Sequence, residues 1–137
     1  LIIDKSLFKI PEQMGNNDLI MRTKEFAHRC VKLSLALPKT DLGNHIRRQL
    51  IRCSTSVASN YRAVCVAQSK ADFASKLSIV IEETDESCFW MEFIIEEKLL
   101  NKNQVSSLIE EGKELTAIFI KSRKTTKNRS SEFTAKR

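Results

Sequence analysis

Glu25 and His28 form an E-x-x-H step, the i, i+3 spacing that sets a carboxylate beside an imidazole as metal ligands in di-iron helix bundles. Such a centre needs a second step and two more inward carboxylates. His45, the other histidine, has Leu42 three residues before it, so the ligand count falls short and no metal is expected. Cys30, Cys53, Cys65 and Cys88 are far apart and form no C-x-x-C pair, which argues against zinc. Each lies among apolar residues at helical spacing and reads as a reduced thiol in or near the core. Glu82, Glu83, Asp85 and Glu86 form an acidic cluster, but successive helix residues diverge, so only Glu82 and Glu86 share a face. No histidine in that helix can act as a base. With no G-x-S-x-G, Walker loop or Gly-rich phosphate cradle in the chain, neither an enzyme nor a cofactor is expected.

Binding has better candidates. Arg47, Arg48, Arg52 and Arg62 fall on one predicted helix, with Arg48 and Arg52 sharing a face, and a forked guanidinium grips phosphate or carboxylate. Lys121, Arg123, Lys124, Lys127 and Arg129 follow near the C-terminus, where residues 121–137 hold seven bases against one acid. These nine are candidate contacts to RNA or DNA. The competing reading pairs the helix-two arginines with the acidic third helix. Phe89, Trp90 and Phe93 could stack on bases only if exposed beside cations, yet their neighbours are Glu92, Glu96 and Glu97. Packing in the core or at an oligomer contact is the expectation.

The elements that must position these residues follow from composition and periodicity. The 137 residues, 42% hydrophobic and 29% charged, fit one soluble domain, and only 3 Gly and 2 Pro leave too few turns for a many-stranded sheet. No apolar run approaches the ~20 residues that span a bilayer. No signal-peptide pattern follows Leu1, so a cytoplasmic protein without membrane contact is expected. The net charge of +6 is uneven: +3 over 1–39, +3 over 40–69, −5 over 70–100 and +5 over 101–137. One acidic helix among basic segments suits pairing within or between subunits and leaves basic surfaces for polyanions.

Residues 1–16 form an apolar leader with Pro11 and Gly15. A first helix runs from Asn16 or Asn17 to about Leu37 and stops at Pro38. Thr40 caps a second, whose seam is Leu42, Ile46, Gln49, Cys53, Val57, Asn60, Val64 and Ala67. Ser69 caps a third, with Asp72 in a capping-box-like position, and Asn103 caps a fourth. The fold expected is all-α, an antiparallel up-down-up-down four-helix bundle over 17–123, with a disordered basic tail over 124–137. Gln49, Ser56 and Asn60 lie in or beside an apolar stripe and imply a hydrogen-bonded network inside the bundle or at a subunit contact.

The stretches FAHRCVKL, LPKT, QLIRCSTSVASNYR, SKADFASKLSI and ESCFWMEF, spread over residues 22–100, resemble the four-helix-bundle proteins of the 23S ribosomal RNA intervening-sequence family. Ala63 departs from the acidic residue often found there, so no role for that carboxylate carries over. The resemblance implies a ring-like homopentamer with no established enzymatic activity. Related bundle proteins that accompany diversity-generating retroelements are similar in serving, with basic surfaces, as nucleic-acid-binding partners of a reverse transcriptase. That likeness is one of fold and charge, and fold does not fix function. Two functions stand as expectations: a non-catalytic oligomeric bundle that binds RNA or DNA, or a structural or protein-binding scaffold without a nucleic-acid ligand.

Overall fold

The computed structural model describes the backbone of residues 16–135 and the side chains of 18–128; the leader, residues 1–15 and the side chain of Asn16, lies outside them. Four helices follow in order: α1 (Asn16–Leu35), α2 (Asp41–Cys65), α3 (Lys70–Glu96) and α4 (Lys102–Ala135). Connections of five, four and five residues are too short to carry the chain back along a helix, so sequential neighbours run antiparallel. Each helix packs on the next, and α4 closes more lightly against α1. The up-down-up-down bundle expected from the sequence is the fold observed.

Caps explain where the helices begin. The Thr40 hydroxyl accepts from the Gly43 amide at 3.1 Å, and the Ser69 hydroxyl accepts from the Asp72 amide at 3.0 Å. Asp72 reaches back to accept from the Gln68 amide at 2.9 Å and from Lys76 Nζ at 3.0 Å. Those bonds hold its carboxyl below the usual carboxylate range, the Gln68 amide first and Lys76 second. The cap of α4 is Asn101, not Asn103. Asn101 Oδ1 accepts from the Asn103 amide at 3.1 Å while Gln104 Oε1 accepts from the Asn101 amide at 3.1 Å, a reciprocal box with the amide side chain three residues on.

The end of α3 is a Schellman turn. The Leu99 amide donates to the Ile94 carbonyl at 3.0 Å and the Lys98 amide to the Ile95 carbonyl at 3.0 Å. Lys98 takes the left-handed position at φ 55°.

The core runs the length of the bundle, from Leu19, Phe26, Cys30 and Leu33 on α1 through Phe73, Leu77, Val80 and Met91 on α3 to Val105, Leu115 and Phe119 on α4. On α2 the buried row is Gly43, Ile46, Leu50, Cys53, Ser54, Val57, Tyr61 and Val64. Gln49 and Asn60, expected on the seam, flank it half-exposed. A straight helix turns every 3.6 residues, so a strict 4 and 3 alternation drifts off the core over 25 residues.

Two glycines mark close approaches. A Cβ at Gly43 would collide with the Pro38 carbonyl, and one at Gly112 would lie 2.5 Å from Cys88 Sγ, so α3 and α4 touch there through a missing side chain.

The fourth helix also extends further than expected. Residues 124–135 continue α4 where a disordered tail was predicted, and the boundary at 123 is corrected. Ser122 and Thr126 are buried, their hydroxyls donating to the Ile118 and Ser122 carbonyls at 2.9 and 3.0 Å. Hydroxyls bonded to their own helix in this way present an apolar flank, so the packed stripe continues without apolar residue types.

Candidate functional site

Among the described residues no three His, Cys, Asp or Glu side chains gather where they could hold a metal ion. Glu25 and His28 are exposed on α1. Within the acidic cluster Glu82 and Asp85 face solvent, while Glu83 and Glu86 turn to α2 and pair with Arg52, Glu83 at 3.4 Å and Glu86 in a close contact. The pairing uses an i, i+3 step and leaves Glu82 out, which the shared-face expectation missed. Arg52 is 49% exposed, so these pairs contribute at most about 1 kcal/mol.

The four arginines of α2 have separate fates. Arg47 Nε donates to the Ser34 carbonyl at 3.1 Å and Nη2 to the Leu37 carbonyl at 2.6 Å, with Pro38 at 3.4 Å and Asn44 Oδ1 also accepting from the group. The Ser34 carbonyl also accepts from the Leu37 amide at 3.2 Å, while Leu37 and Pro38 stand just past the end of α1. Arg47 therefore caps one helix from the next. Arg52 is held by Gln49 Oε1, Glu83 and Glu86. Arg48 and Arg62 are exposed and make no ion pair among the described residues.

Toward the C-terminus Lys121, Lys124 and Lys127 are exposed, and Arg123 donates to Ser78 Oγ at 3.1 Å, tying α4 to α3. Arg129 lies on α4 with its side chain outside the described residues. The expected polar network divides into local pieces: Gln49 accepts from Arg52, and Asn60 Nδ2 donates to the Ser56 carbonyl at 2.9 Å and to Ser56 Oγ at 2.8 Å. Ser56 and Asn60 are half-exposed, not interior. Asp72 is a cap, as above.

Sequence reasoning missed Arg22. Its guanidinium forks onto Glu111, Nε to Oε2 at 2.9 Å and Nη2 to Oε1 at 2.7 Å, with Glu114 at 3.0 Å, and this clamp joins α1 to α4. Arg22 and Glu111 side chains are 20% and 19% exposed. Spacing alone carries no signal for a partner 89 residues away.

Phe89, Trp90 and Phe93 form a ledge on α3, Phe89 exposed and Trp90 and Phe93 half-buried against the core. Phe89 is 50% exposed, its ring edge-on to Trp90 at 4.9 Å and 6.0 Å from Phe93. Trp90 meets His45 of α2 edge-on at 5.4 Å and donates from Nε1 to Glu86 Oε2 at 3.1 Å. The carboxylate that takes Arg52 thus also fixes the indole.

Two open grooves flank these elements. Between α3 and α4, Asp85, Cys88, Phe89, Glu92, Lys113 and Thr116 line one; between α1 and α2, Ile20, Lys24, Thr55, Ala58, Ser59 and Arg62 line another. Cys53 and Cys88 are buried, and burial pushes each thiol up to about 11, with Cys30 displaced further the same way. Thiols this basic are poor nucleophiles near neutral pH. Cys65 alone of the four is half-exposed.

The four-helix bundle ties part of its cations into helix contacts and carries an aromatic ledge on its acidic helix. No helix among the described residues is long and apolar enough to cross a membrane. The chain belongs to the 23S rRNA-intervening sequence protein family, whose model matches residues 15–121. It is also similar to a crystal structure from Bacteroides thetaiotaomicron VPI-5482, described as a protein with unknown function from the S23 ribosomal protein family. That likeness has 29% identity and a TM-score of 0.68, over 80% of this chain and 97% of the other. No curated protein matches the chain.

Proposed function

We propose that this chain is a non-catalytic bundle that assembles with copies of itself, in the ring of five implied by the family resemblance, and acts as a scaffold. The Phe89 ledge carries this reading: a half-exposed phenylalanine stacked with Trp90 and Phe93 is an apolar surface of the kind that marks an interaction site. Light scattering of the full chain tests it. Assembly that Phe89→Ser disrupts supports the reading, and a stable monomer at micromolar concentration overturns it.

A second reading, binding of RNA or DNA by the same assembly, is favoured by a separate observation. Arg48, Arg62, Lys121, Lys124 and Lys127 are all exposed, on a chain of net charge +6. Contact with about five phosphates would give a slope of log affinity on log salt near −4. No binding of an RNA or DNA oligonucleotide at low salt would sink it.

A further inference from the structure

We infer that the groove between α1 and α2 is a backbone-phosphate subsite for a nucleic-acid strand, gripped by Lys24 from one wall and Arg62 from the other. The inference rests on the nucleic-acid reading above and locates it.

The groove has a volume of about 370 Å³ and no carboxylate in its lining, unlike the α3–α4 groove with Asp85 and Glu92. Its two cations come from different helices, both exposed and both outside every ion pair among the described residues. In this they differ from Arg47 and Arg52, whose guanidiniums already have acceptors. Ala58 and Ser59 keep the α2 wall low, which opens both charges to a strand lying along the groove, and half-buried Ile20 offers an apolar flank to a sugar or base. A lysine and an arginine at separated points suit consecutive phosphates of a strand, since each cation needs its own anion and lysine binds as a point charge. The antiparallel fold also puts the start of α1, the end of α2 and the C-terminal half of α4 at one end of the bundle. Exposed Lys121 and Lys124 thus stand at the same end as the groove and extend its positive field.

The test measures affinity of the full chain for a labelled single-stranded RNA of about 20 nucleotides across a salt series, comparing Lys24→Gln/Arg62→Gln with Lys32→Gln/Lys39→Gln, which removes equal charge elsewhere. The groove pair should weaken binding about tenfold at low salt and flatten the salt slope by about 1.4, with the control pair within about twofold of the parent. Equal losses in both pairs, or none in the groove pair, overturn the groove assignment and leave nucleic-acid binding standing. A parent chain that binds no RNA overturns both. Displacement of the RNA by millimolar inorganic phosphate at fixed ionic strength would reassign the groove to small anions and overturn the strand. Lys24→Gln alone, which leaves α2 intact, gives an independent reading expected near half the logarithmic loss.

Discussion

Arg47 of α2 donates to the Leu37 carbonyl at 2.6 Å, so the end of one helix is closed by a side chain of the next. Arg47→Ala leaves the Ser34 and Leu37 carbonyls without that donor and should lower stability by about 1.5–3 kcal/mol, read as a fall in the urea midpoint. Arg47→Lys should recover little, because one ammonium cannot span the same fan of acceptors. Arg48→Ala, one residue on and exposed, should stay within about 0.5 kcal/mol of the parent. Equal effects of Arg47→Ala and Arg48→Ala would remove the capping role.

Gly112 lets α4 lie against Cys88 and Phe26. Gly112→Ala places a methyl 2.5 Å from Cys88 Sγ and 3.3 Å from the Phe26 ring, and overpacking of this kind costs about 1–3 kcal/mol. Cys88→Ala makes room for that methyl, so the double variant should be more stable than the sum of the single losses by at least about 0.5 kcal/mol. Additive losses in thermal unfolding would show that the two sites do not meet.

Thiol chemistry should separate the four cysteines. Cys65 is half-exposed and should react first with an aromatic disulfide reagent near neutral pH. Cys30, Cys53 and Cys88 are buried and their thiols raised, so they should label only as fast as the bundle opens. Four thiols titrating at one rate in native buffer would contradict the packing around them.

Asp72 sets a pH dependence whose sign is fixed by its bonds. Its folded-state carboxyl lies below the unfolded value, so its contribution is present above the ordinary carboxylate range and is lost as pH falls through the depressed value. Asp72→Asn should therefore show a shallower loss of urea midpoint on acidification than the parent. The carboxylate is half-exposed and screened by solvent, so the difference is small, and a steeper acid limb in the variant would reverse the assignment.

Much of the bundle was legible because its signals are local. Thr40 and Ser69 begin helices where they were expected to, since a cap is decided within three residues. The continuation of α4 was hidden because Ser122 and Thr126 count as polar by type yet bury once their hydroxyls donate backward. Of the candidate surface, the tie between α2 and α3 at Arg52 could be foreseen from opposite charges on neighbouring helices. The roles of Arg47 and Arg22 could not, because carbonyls at a helix end and a carboxylate 89 residues away become partners only when the helices are packed. For Phe89 the sequence offered the core or an oligomer contact, and its exposure takes away the core. Periodicity ranks faces by residue type, whereas exposure is set by which neighbour is present.

Lys98 carries the turn between the acidic helix and the basic one at φ 55°, a left-handed position where an L side chain costs roughly 1–2 kcal/mol. Glycine there would relieve that cost, offset in part by the freedom it adds to the unfolded chain. The junction is thus held together less firmly than its geometry permits. Lys98→Gly offers thermal headroom at a single position, at the end of the bundle opposite the groove of Lys24 and Arg62, so heat resistance should be adjustable without touching that groove.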